Sequence, residues 1–170
     1  MKTAKLNQFR IAIGALIGLT MMAAVFFVVH ALARTWNNTG TDYNTGGNWS
    51  GAAAPGAGDV GQFASAAVAQ PNLSVSLSNA GLCFSTAVSS GYNLTRTSGA
   101  VFTFTGQTTG SATQGTNSNS AAIFAANTSG TNTIDVPLAL APALGTTSTF
   151  NQASGGTLIV NGQSRAAALP

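Results

Sequence analysis

The sequence predicts an all-β protein after residue 33. Three observations indicate this class: short segments alternate apolar and polar residues, clusters of Gly, Asn, Ser and Thr separate them, and no window there forms a convincing amphipathic helix. Alternation with a period of two places apolar side chains on one face of a strand. The separating clusters favour turns because Gly and Asn tolerate positive φ and Ser and Asn bond to nearby backbone.

Each predicted strand carries apolar residues that share one face. In chain order these sets are Leu73, Val75 and Leu77; Leu82 and Phe84; Tyr92 and Leu94; Phe102 and Phe104; Ile134, Val136, Leu138 and Leu140; and Leu158 and Val160. Pro137 removes a ladder N–H from the longest set, so we expect it at an edge, at a bulge or at the start of a bend.

Two architectures are compatible with these strands. In a β-sandwich neighbouring strands pair antiparallel, whereas in a solenoid each turn of the chain stacks on the previous one. The similar segments that begin at Asn72 and Asn93 are 21 residues apart, within the usual repeat length of a solenoid. Only 5% of the residues are charged, and ladders of stacked Ser, Thr and Asn avoid like-charge repulsion. The composition favours a parallel solenoid, and the β-sandwich remains the alternative.

The first 33 residues predict export. Lys2, Lys5 and Arg10 precede 19 uncharged residues, Ile11–Val29, and an Ala-Leu-Ala sequence ends at Ala33. This is the plan of a secretory signal peptide that is cleaved after Ala33. The alternative is an N-terminal helix, residues 11–29, retained as a membrane anchor, because a run of this length can span a bilayer. Either route places residues 34–170 outside the cytoplasm, with membrane contact only through residues 11–29.

The charge balance argues against nucleic-acid binding. Three of the six basic residues lie in the first ten positions. After residue 33 the charged residues are Arg34, Arg96, Arg165, Asp42, Asp59 and Asp135, so three bases balance three acids. Nucleic-acid binding requires clustered Lys and Arg to displace counterions, and we therefore expect no nucleic-acid partner.

The residues needed for catalysis are sparse. The only histidine, His30, lies in the signal segment, so the exported part has none for a Ser-His-Asp triad. A polysaccharide-degrading enzyme would have to bring Asp42, Asp59 and Asp135 into one cleft, because glycosidases need paired carboxylates. We expect no catalytic residues and no cofactor.

Metal binding and thiol chemistry are also poorly supported. Asp42, Asn44 and Asn48 faintly resemble a calcium loop, but one carboxylate is few for an ion that prefers six to eight oxygen ligands. We therefore predict a turn there and no metal. The single cysteine, Cys83, has apolar neighbours and no nearby base in sequence, which predicts a buried structural thiol.

The segment after residue 34 places large aromatic residues among Gly, Asn, Thr and Ala. It contains in order Trp36, the pair Asn48-Trp49, Pro55, Gly58, Asp59 and Phe63. This order resembles the opening of exported bacterial proteins with autotransporter-associated β-strand repeats. The later segments GLCF, GYNLT, NTIDVPLAL and GGTLIVNG extend the resemblance over about residues 35–162.

The resemblance implies a short right-handed parallel β-helix on a bacterial surface or released from it. It divides the chain into a signal peptide (1–33), a capping segment (34–70) and solenoid rungs (71–170). Proteins of this family usually continue through more repeats to a membrane barrel or sorting tail, so we expect a fragment or a minimal version. The expected function is structural or adhesive, without catalysis, toward cell-surface or extracellular polysaccharide or protein. The alternatives are a glycan-binding β-sandwich and, with less support, a polysaccharide-degrading enzyme.

We expect special features at the two ends of such a solenoid, because its terminal repeats must be covered. We expect Trp36, Trp49 and Phe63 to fold over the N-terminal end, with Asp59 accepting backbone N–H groups in the same turn. The alternative role for Trp36 and Trp49 is a stacking platform for a glycan. At the other end, Thr157–Val160 would leave an open edge that favours self-association.

Overall fold

The computed structural model describes residues 32–106, 121–141, 148–153, 155–162 and 164–166. Strands form most of the regular structure in this part, and its helical elements are two short 3-10 turns, Gly46–Asn48 and Ser50–Ala52. The predicted all-β class is therefore confirmed.

The strands of the described part are short, with two to five residues each. In chain order they are β1 (Ala33–Thr35), β2 (Val60–Phe63), β3 (Asn72–Leu73), β4 (Leu77–Asn79), β5 (Gly81–Phe84), β6 (Asn93–Arg96), β7 (Phe102–Phe104), β8 (Ala121–Ala125), β9 (Thr131–Ile134), β10 (Leu138–Leu140), β11 (Thr149–Gln152), β12 (Thr157–Val160) and β13 (Ser164–Ala166).

These strands form three parallel sheets. Sheet 1 has the order β1-β2-β5-β8-β11, sheet 2 the order β3-β6-β9-β12, and sheet 3 the order β4-β7-β10-β13. From β2 onward the chain therefore enters sheets 1, 2 and 3 in the same cyclic order four times. Each set of three successive strands adds one strand to every sheet, and we call such a set a rung.

All strand ladders in the described part are parallel. The antiparallel pairing of neighbouring strands that a β-sandwich would require is not found among these strands. One isolated antiparallel bridge occurs outside them, between Trp36 and Trp49. The geometry thus contradicts the sandwich alternative and leaves a stacked arrangement of rungs.

The pairing register differs from the sequence repeat in sheet 2. Val60 pairs with Gly81, 21 residues later, a separation equal to that of the similar segments at Asn72 and Asn93. Asn72 itself pairs with Thr95, 23 residues later. The connections before β3 and β6 follow different paths, because Val88 turns into the core whereas the side chain of Val68 is 81% exposed.

One apolar core lies between the three sheets. It receives buried side chains from all of them: Phe63, Phe84 and Ile123 from sheet 1, Leu73, Leu94 and Ile134 from sheet 2, and Phe102, Phe104 and Leu138 from sheet 3. Tyr92 and Val136 are buried in the same cluster, while Leu77, Leu140, Leu158 and Val160 are partly buried against it. The predicted inward faces are therefore confirmed for these residues.

Val75 is the exception among the predicted inward residues. Its side chain is 61% exposed, because the predicted strand 73–78 is divided into β3 and β4 by a bend at residue 75. The backbone N–H groups of Ser74 and Val75 both donate to Asn44 Oδ1, at 2.9 and 3.3 Å, instead of continuing a ladder. The period-two pattern holds only while the chain stays extended.

Pro137 lies where the sequence predicted a bend. It separates β9 from β10, directly after a bend at Val136, so its missing N–H removes no bond from either strand. Its carbonyl accepts a 2.9 Å hydrogen bond from the Phe102 N–H of the neighbouring rung. Proline therefore sets the corner between sheets 2 and 3.

The predicted signal segment lies almost entirely outside the described residues, which begin at Leu32. Ala33 belongs to β1 and pairs with Val60 of β2, and β2 pairs in turn with β5. Among the described residues no helix has the length and apolarity to cross a membrane.

Engineered disulfides test the parallel register in sheet 2. Asn93 pairs with Thr133, which pairs on its other side with Ile159. Neighbouring strands lie about 4.8 Å apart, within the Cα separation that a disulfide spans. We expect Asn93→Cys with Thr133→Cys to form a disulfide under mild oxidation, measured by mass spectrometry of the full chain.

The control is Asn93→Cys with Ile159→Cys, two strands apart. These positions are separated by about 9.6 Å, twice the strand spacing, which is too far for a disulfide. Equal oxidation of both pairs, or oxidation of the control pair alone, would contradict the register.

Candidate functional site

Four large aromatic side chains form a buried cluster at the first strands of the fold. Trp36, Tyr43, Trp49 and Phe63 are each at most 2% exposed, and we call them the aromatic cluster. The Trp49 ring lies 5.0 Å from Trp36, 4.6 Å from Tyr43 and 5.9 Å from Phe63 between centroids, each at a steep edge-to-face angle. This geometry is the preferred packing of aromatic pairs.

The aromatic cluster continues into the core of the following rungs. Phe63 stacks on Phe84 of the next strand in sheet 1, with centroids 5.0 Å apart and planes inclined by 12°. Tyr43 contacts Phe102 of sheet 3 with centroids 5.3 Å apart. The aromatic cluster is thereby attached to the core through ring contacts in two directions.

Each polar group of the cluster has a hydrogen-bond partner. The indole N–H of Trp49 donates to the Tyr43 carbonyl at 2.7 Å, and that of Trp36 donates to the Ala69 carbonyl at 3.2 Å. The Asn37 N–H donates to the Asn48 carbonyl at 2.8 Å beside the Trp36–Trp49 bridge. These bonds remove the cost of burying unpaired indole N–H groups.

Tyr43 is a member of the cluster that the sequence analysis missed. Its side chain is fully buried, and its hydroxyl lies 2.7 Å from Asn79. The Asn79 amide is oriented with its nitrogen toward the carbonyls of Pro55 and Ser78, so its oxygen accepts from the tyrosine hydroxyl. The signal in the sequence was a third large aromatic residue between the two tryptophans.

Asp59 lies in the turn before β2. Its Oδ2 accepts a 3.0 Å hydrogen bond from the Gly56 N–H and lies 3.6 Å from Nε of Arg34 in β1. The carboxylate therefore holds the turn and connects it to the first strand. This placement gives Asp59 structural contacts on both sides.

The burial of the indole rings bears on the glycan-platform alternative. A stacking platform needs an exposed ring face, whereas Trp36 and Trp49 are covered by protein on both sides. The geometry therefore contradicts the platform role for these two residues.

The three aspartates lie in separate environments. Asp42 contacts its own loop, Asp59 contacts Gly56 and Arg34, and Asp135 accepts a 2.6 Å bond from Asn161. Among the described residues no cluster of three acidic, histidine or cysteine side chains could hold a metal ion. The convergence that the enzyme alternative requires is not found in this part of the chain.

The Asp42 loop folds as a turn that its own side chains hold. Asp42 Oδ1 accepts from the Asn44 N–H at 3.0 Å, its Oδ2 accepts from the Thr45 hydroxyl at 2.9 Å, and Asn48 donates to its carbonyl at 2.8 Å. Burial alone would raise the pKa of Asp42, but hydrogen bonds from Ser74, Asn44 and Thr45 lower it below 3.8.

Cys83 is buried on the other face of sheet 1, against Val60, Ala80 and Phe124. Neighbouring Leu82 and Phe84 face the main core, so strand alternation directs Cys83 away from it. Burial raises the pKa of the Cys83 thiol from 9.0 to about 12. The thiol is therefore protonated at neutral pH, as the prediction of a structural cysteine requires.

An open cleft lies at the corner between sheets 2 and 3, and sequence reasoning did not find it. Its volume is about 520 Å³, and its walls include the exposed side chains of Arg96, Asp135 and Asn161 above Val101, Pro137 and Leu138. The three polar residues come from successive rungs, 26 to 39 positions apart, so only the stacking brings them together. Arg96 Nη1 donates to the Ala100 carbonyl at 3.0 Å.

Asp135 and Asn161 also belong to a row of aligned polar residues, the polar ladder, formed by Asp42, Asn72, Thr95, Asp135 and Asn161. Asp42 bridges to Asn72, which pairs with Thr95. Thr95, Asp135 and Asn161 follow directly after the aligned residues Leu94, Ile134 and Val160. Asn72 donates to Thr95 Oγ1 at 2.9 Å and Asn161 to Asp135 Oδ1 at 2.6 Å.

Comparisons with models of protein families, with curated protein sequences and with solved structures found no match to this chain.

Replacement of Trp49 tests how much the aromatic cluster contributes to the free energy of unfolding. We expect Trp49→Ala to lower the free energy of unfolding by about 3–5 kcal/mol, because a buried Trp loses its ring contacts and leaves a cavity. Urea denaturation followed by circular dichroism measures this change. Val68→Ala is the control, since Val68 is 81% exposed and exposed sites usually change stability by less than about 0.5 kcal/mol. A Trp49→Ala loss below about 1 kcal/mol would exclude a central role for the cluster.

Alkaline titration tests the burial of Cys83 and Tyr43. Burial raises the pKa of Cys83 to about 12 and the pKa of Tyr43 well above 10.0. The unfolded chain loses these protons at lower pH than the folded chain. Stability is therefore full below about pH 9 and falls as the pH rises toward 12, by at most about 1.4 kcal/mol per pH unit and group.

The matched variant for this titration is Cys83→Ala. Urea denaturation between pH 8 and pH 11 should give a shallower decline for the variant, because one of the two titrating groups is removed. Equal slopes for the variant and the unchanged chain would show that Cys83 ionises normally in the folded state.

Proposed function

We propose that this chain is a secreted or surface-displayed structural or adhesive module, folded as a short right-handed parallel β-helix of the autotransporter-associated repeat type. The observation that carries the proposal is the cyclic order in which successive strands enter three parallel sheets. A chain that coils in this way adds one rung per turn and presents continuous outer faces. Such faces suit adhesion and scaffolding, because stacked repeats offer extended binding surfaces.

The aromatic cluster acts in this proposal as the N-terminal cap of the β-helix. Trp36, Trp49 and Phe63 lie at the first strands of sheet 1, buried together with Tyr43. A first rung has no preceding rung to cover its apolar face, and bulky rings bury the most apolar area per residue. Asp59 supports the cap by joining its turn to Arg34 of β1.

A structural role is also supported by the chemistry of the surface. Asp42 and Asp59 accept hydrogen bonds within their own turns. Asn, Thr and Ser side chains join successive rungs, as in the bond from Asn72 to Thr95. These contacts stabilise the stacking of the rungs.

The last described rung supports the proposal of self-association. Strands β11, β12 and β13 end the three sheets in the described part, and Phe150 and Ile159 in them are 43% and 39% exposed. Unpaired strand edges with exposed apolar side chains favour pairing with another chain. A second copy of this chain is the partner we propose for that edge.

Export is proposed through residues 1–33, by cleavage after Ala33 or by retention of residues 11–29 as an anchor. The described β-structure begins at Ala33, the residue after which cleavage is expected. No nucleic-acid partner is proposed.

The test is expression of the full chain in a bacterium, followed by cell fractionation and an adherence assay. We expect the chain outside the cytoplasm, with Arg34 as the N-terminus if cleavage occurs, and increased adherence of the cells to surfaces coated with polysaccharide or matrix protein. Cells expressing the Trp49→Ala variant are the control, because loss of the cap should abolish adherence. Cytoplasmic retention, or release of new reducing ends from polysaccharide, would contradict the proposal and favour the enzyme alternative.

A further inference from the structure

The cleft between sheets 2 and 3 carries one charge of each sign. Arg96 and Asp135 both line it and both are exposed. Among the described residues the only ion pair joins Arg34 and Asp59, so the Arg96 and Asp135 groups lie more than 4.0 Å apart. Because these opposite charges line one cleft without forming an ion pair, a ligand group can bind between them.

The polar groups of the cleft retain hydrogen-bonding capacity. Within the described part, Arg96 donates once, from Nη1 to the Ala100 carbonyl, although a guanidinium has five N–H donors. Asp135 accepts one side-chain bond, from Asn161, although a carboxylate can accept about four. The cleft therefore offers both unused donors and unused acceptors to a ligand.

The floor of the cleft is apolar. Val101 and Pro137 line it and are half-buried, whereas Leu138 belongs to the buried core cluster behind the cleft lining. A ligand that fits these walls and this floor has a C–H face bordered by hydroxyl groups, which is the chemistry of a pyranose ring. Water leaves the apolar floor when that face covers it, while the hydroxyl groups replace water at Arg96 and Asp135.

The charges of the cleft and the spacing of the polar ladder indicate which class of ligand fits. One guanidinium and one carboxylate cancel, so the cleft provides no net attraction for a polyanion, which would require clustered bases. The polar ladder repeats at the strand spacing of about 4.8 Å, similar to the advance per residue of an extended hexose chain. A neutral polysaccharide that lies along the stacking direction can therefore contact one rung after another.

We propose that this cleft binds a neutral polysaccharide, with Arg96 donating to sugar hydroxyls and Asp135 and Asn161 accepting from them. The inference rests on the proposed adhesive function and assigns it a ligand class and a site. Asp135 and Asn161 also extend the polar ladder toward Thr95, Asn72 and Asp42, which gives a longer chain further contacts. The buried tryptophans have no part in this binding.

The experiment is calorimetric titration of the full chain with two neutral probes, cellohexaose and maltohexaose. We expect at least one to bind, and Asp135→Asn and Arg96→Gln each to weaken that binding about tenfold or more, because each removes a charge-assisted hydrogen bond. Asp135→Asn keeps the shape and an oxygen that accepts from Asn161. Thr86→Ala, at an exposed residue between β5 and β6, is the control and should bind as the unchanged chain does. Urea midpoints verify that each variant is folded.

Three results would overturn the inference: no binding of either hexaose, equal binding by the cleft variants and the unchanged chain, or selective binding of hexagalacturonate or of a free zwitterionic amino acid. Its failure is distinguishable from failure of the proposed function. Cells that adhere through a chain that binds no hexaose support an adhesive module with another ligand. If a hexaose binds through Arg96 and Asp135 but the cells do not adhere, the result supports the binding site and contradicts the adhesive function.

Discussion

The structure depends on stacking apolar side chains of successive rungs inside three parallel sheets. Each strand is too short to be stable alone, and its hydrogen bonds join residues 21 or more positions apart in the chain. The entropy cost of closing these connections is offset when each new rung buries its inward side chains on the previous one. The contact of Phe63 with Phe84 is the clearest case, since both rings are buried and nearly parallel.

The segment before β2 is rich in aromatic residues, and these attach it to the same core. Trp36, Tyr43 and Trp49 are buried although their segment has little regular structure, and their ring contacts and indole hydrogen bonds hold it in place. The same stacking leaves the outer face polar, where Asn72, Thr95 and their neighbours bond between rungs instead of repelling one another.

Much of the fold was predictable from the sequence because period-two alternation reports directly which side chains face the core. Phe102 and Phe104 are buried as their alternation with threonine predicts. The pattern was wrong at Val75, where a bend held by Asn44 ends the extended chain. The 21-residue spacing of the similar segments did not identify Thr95 as the partner of Asn72, because such similarity gives a spacing but not the path of the connection between the segments.

The sequence by itself determined the all-β class, the inward positions of most residues in the predicted strands and the buried state of Cys83, because these depend on local patterns of polarity. Only the tertiary structure decided the parallel pairing, the place of Tyr43 beneath the tryptophans and the meeting of Arg96, Asp135 and Asn161 in one cleft. These features join residues from different rungs. The distances between these residues depend on the paths of the connections between strands. A local pattern of residues does not predict those paths.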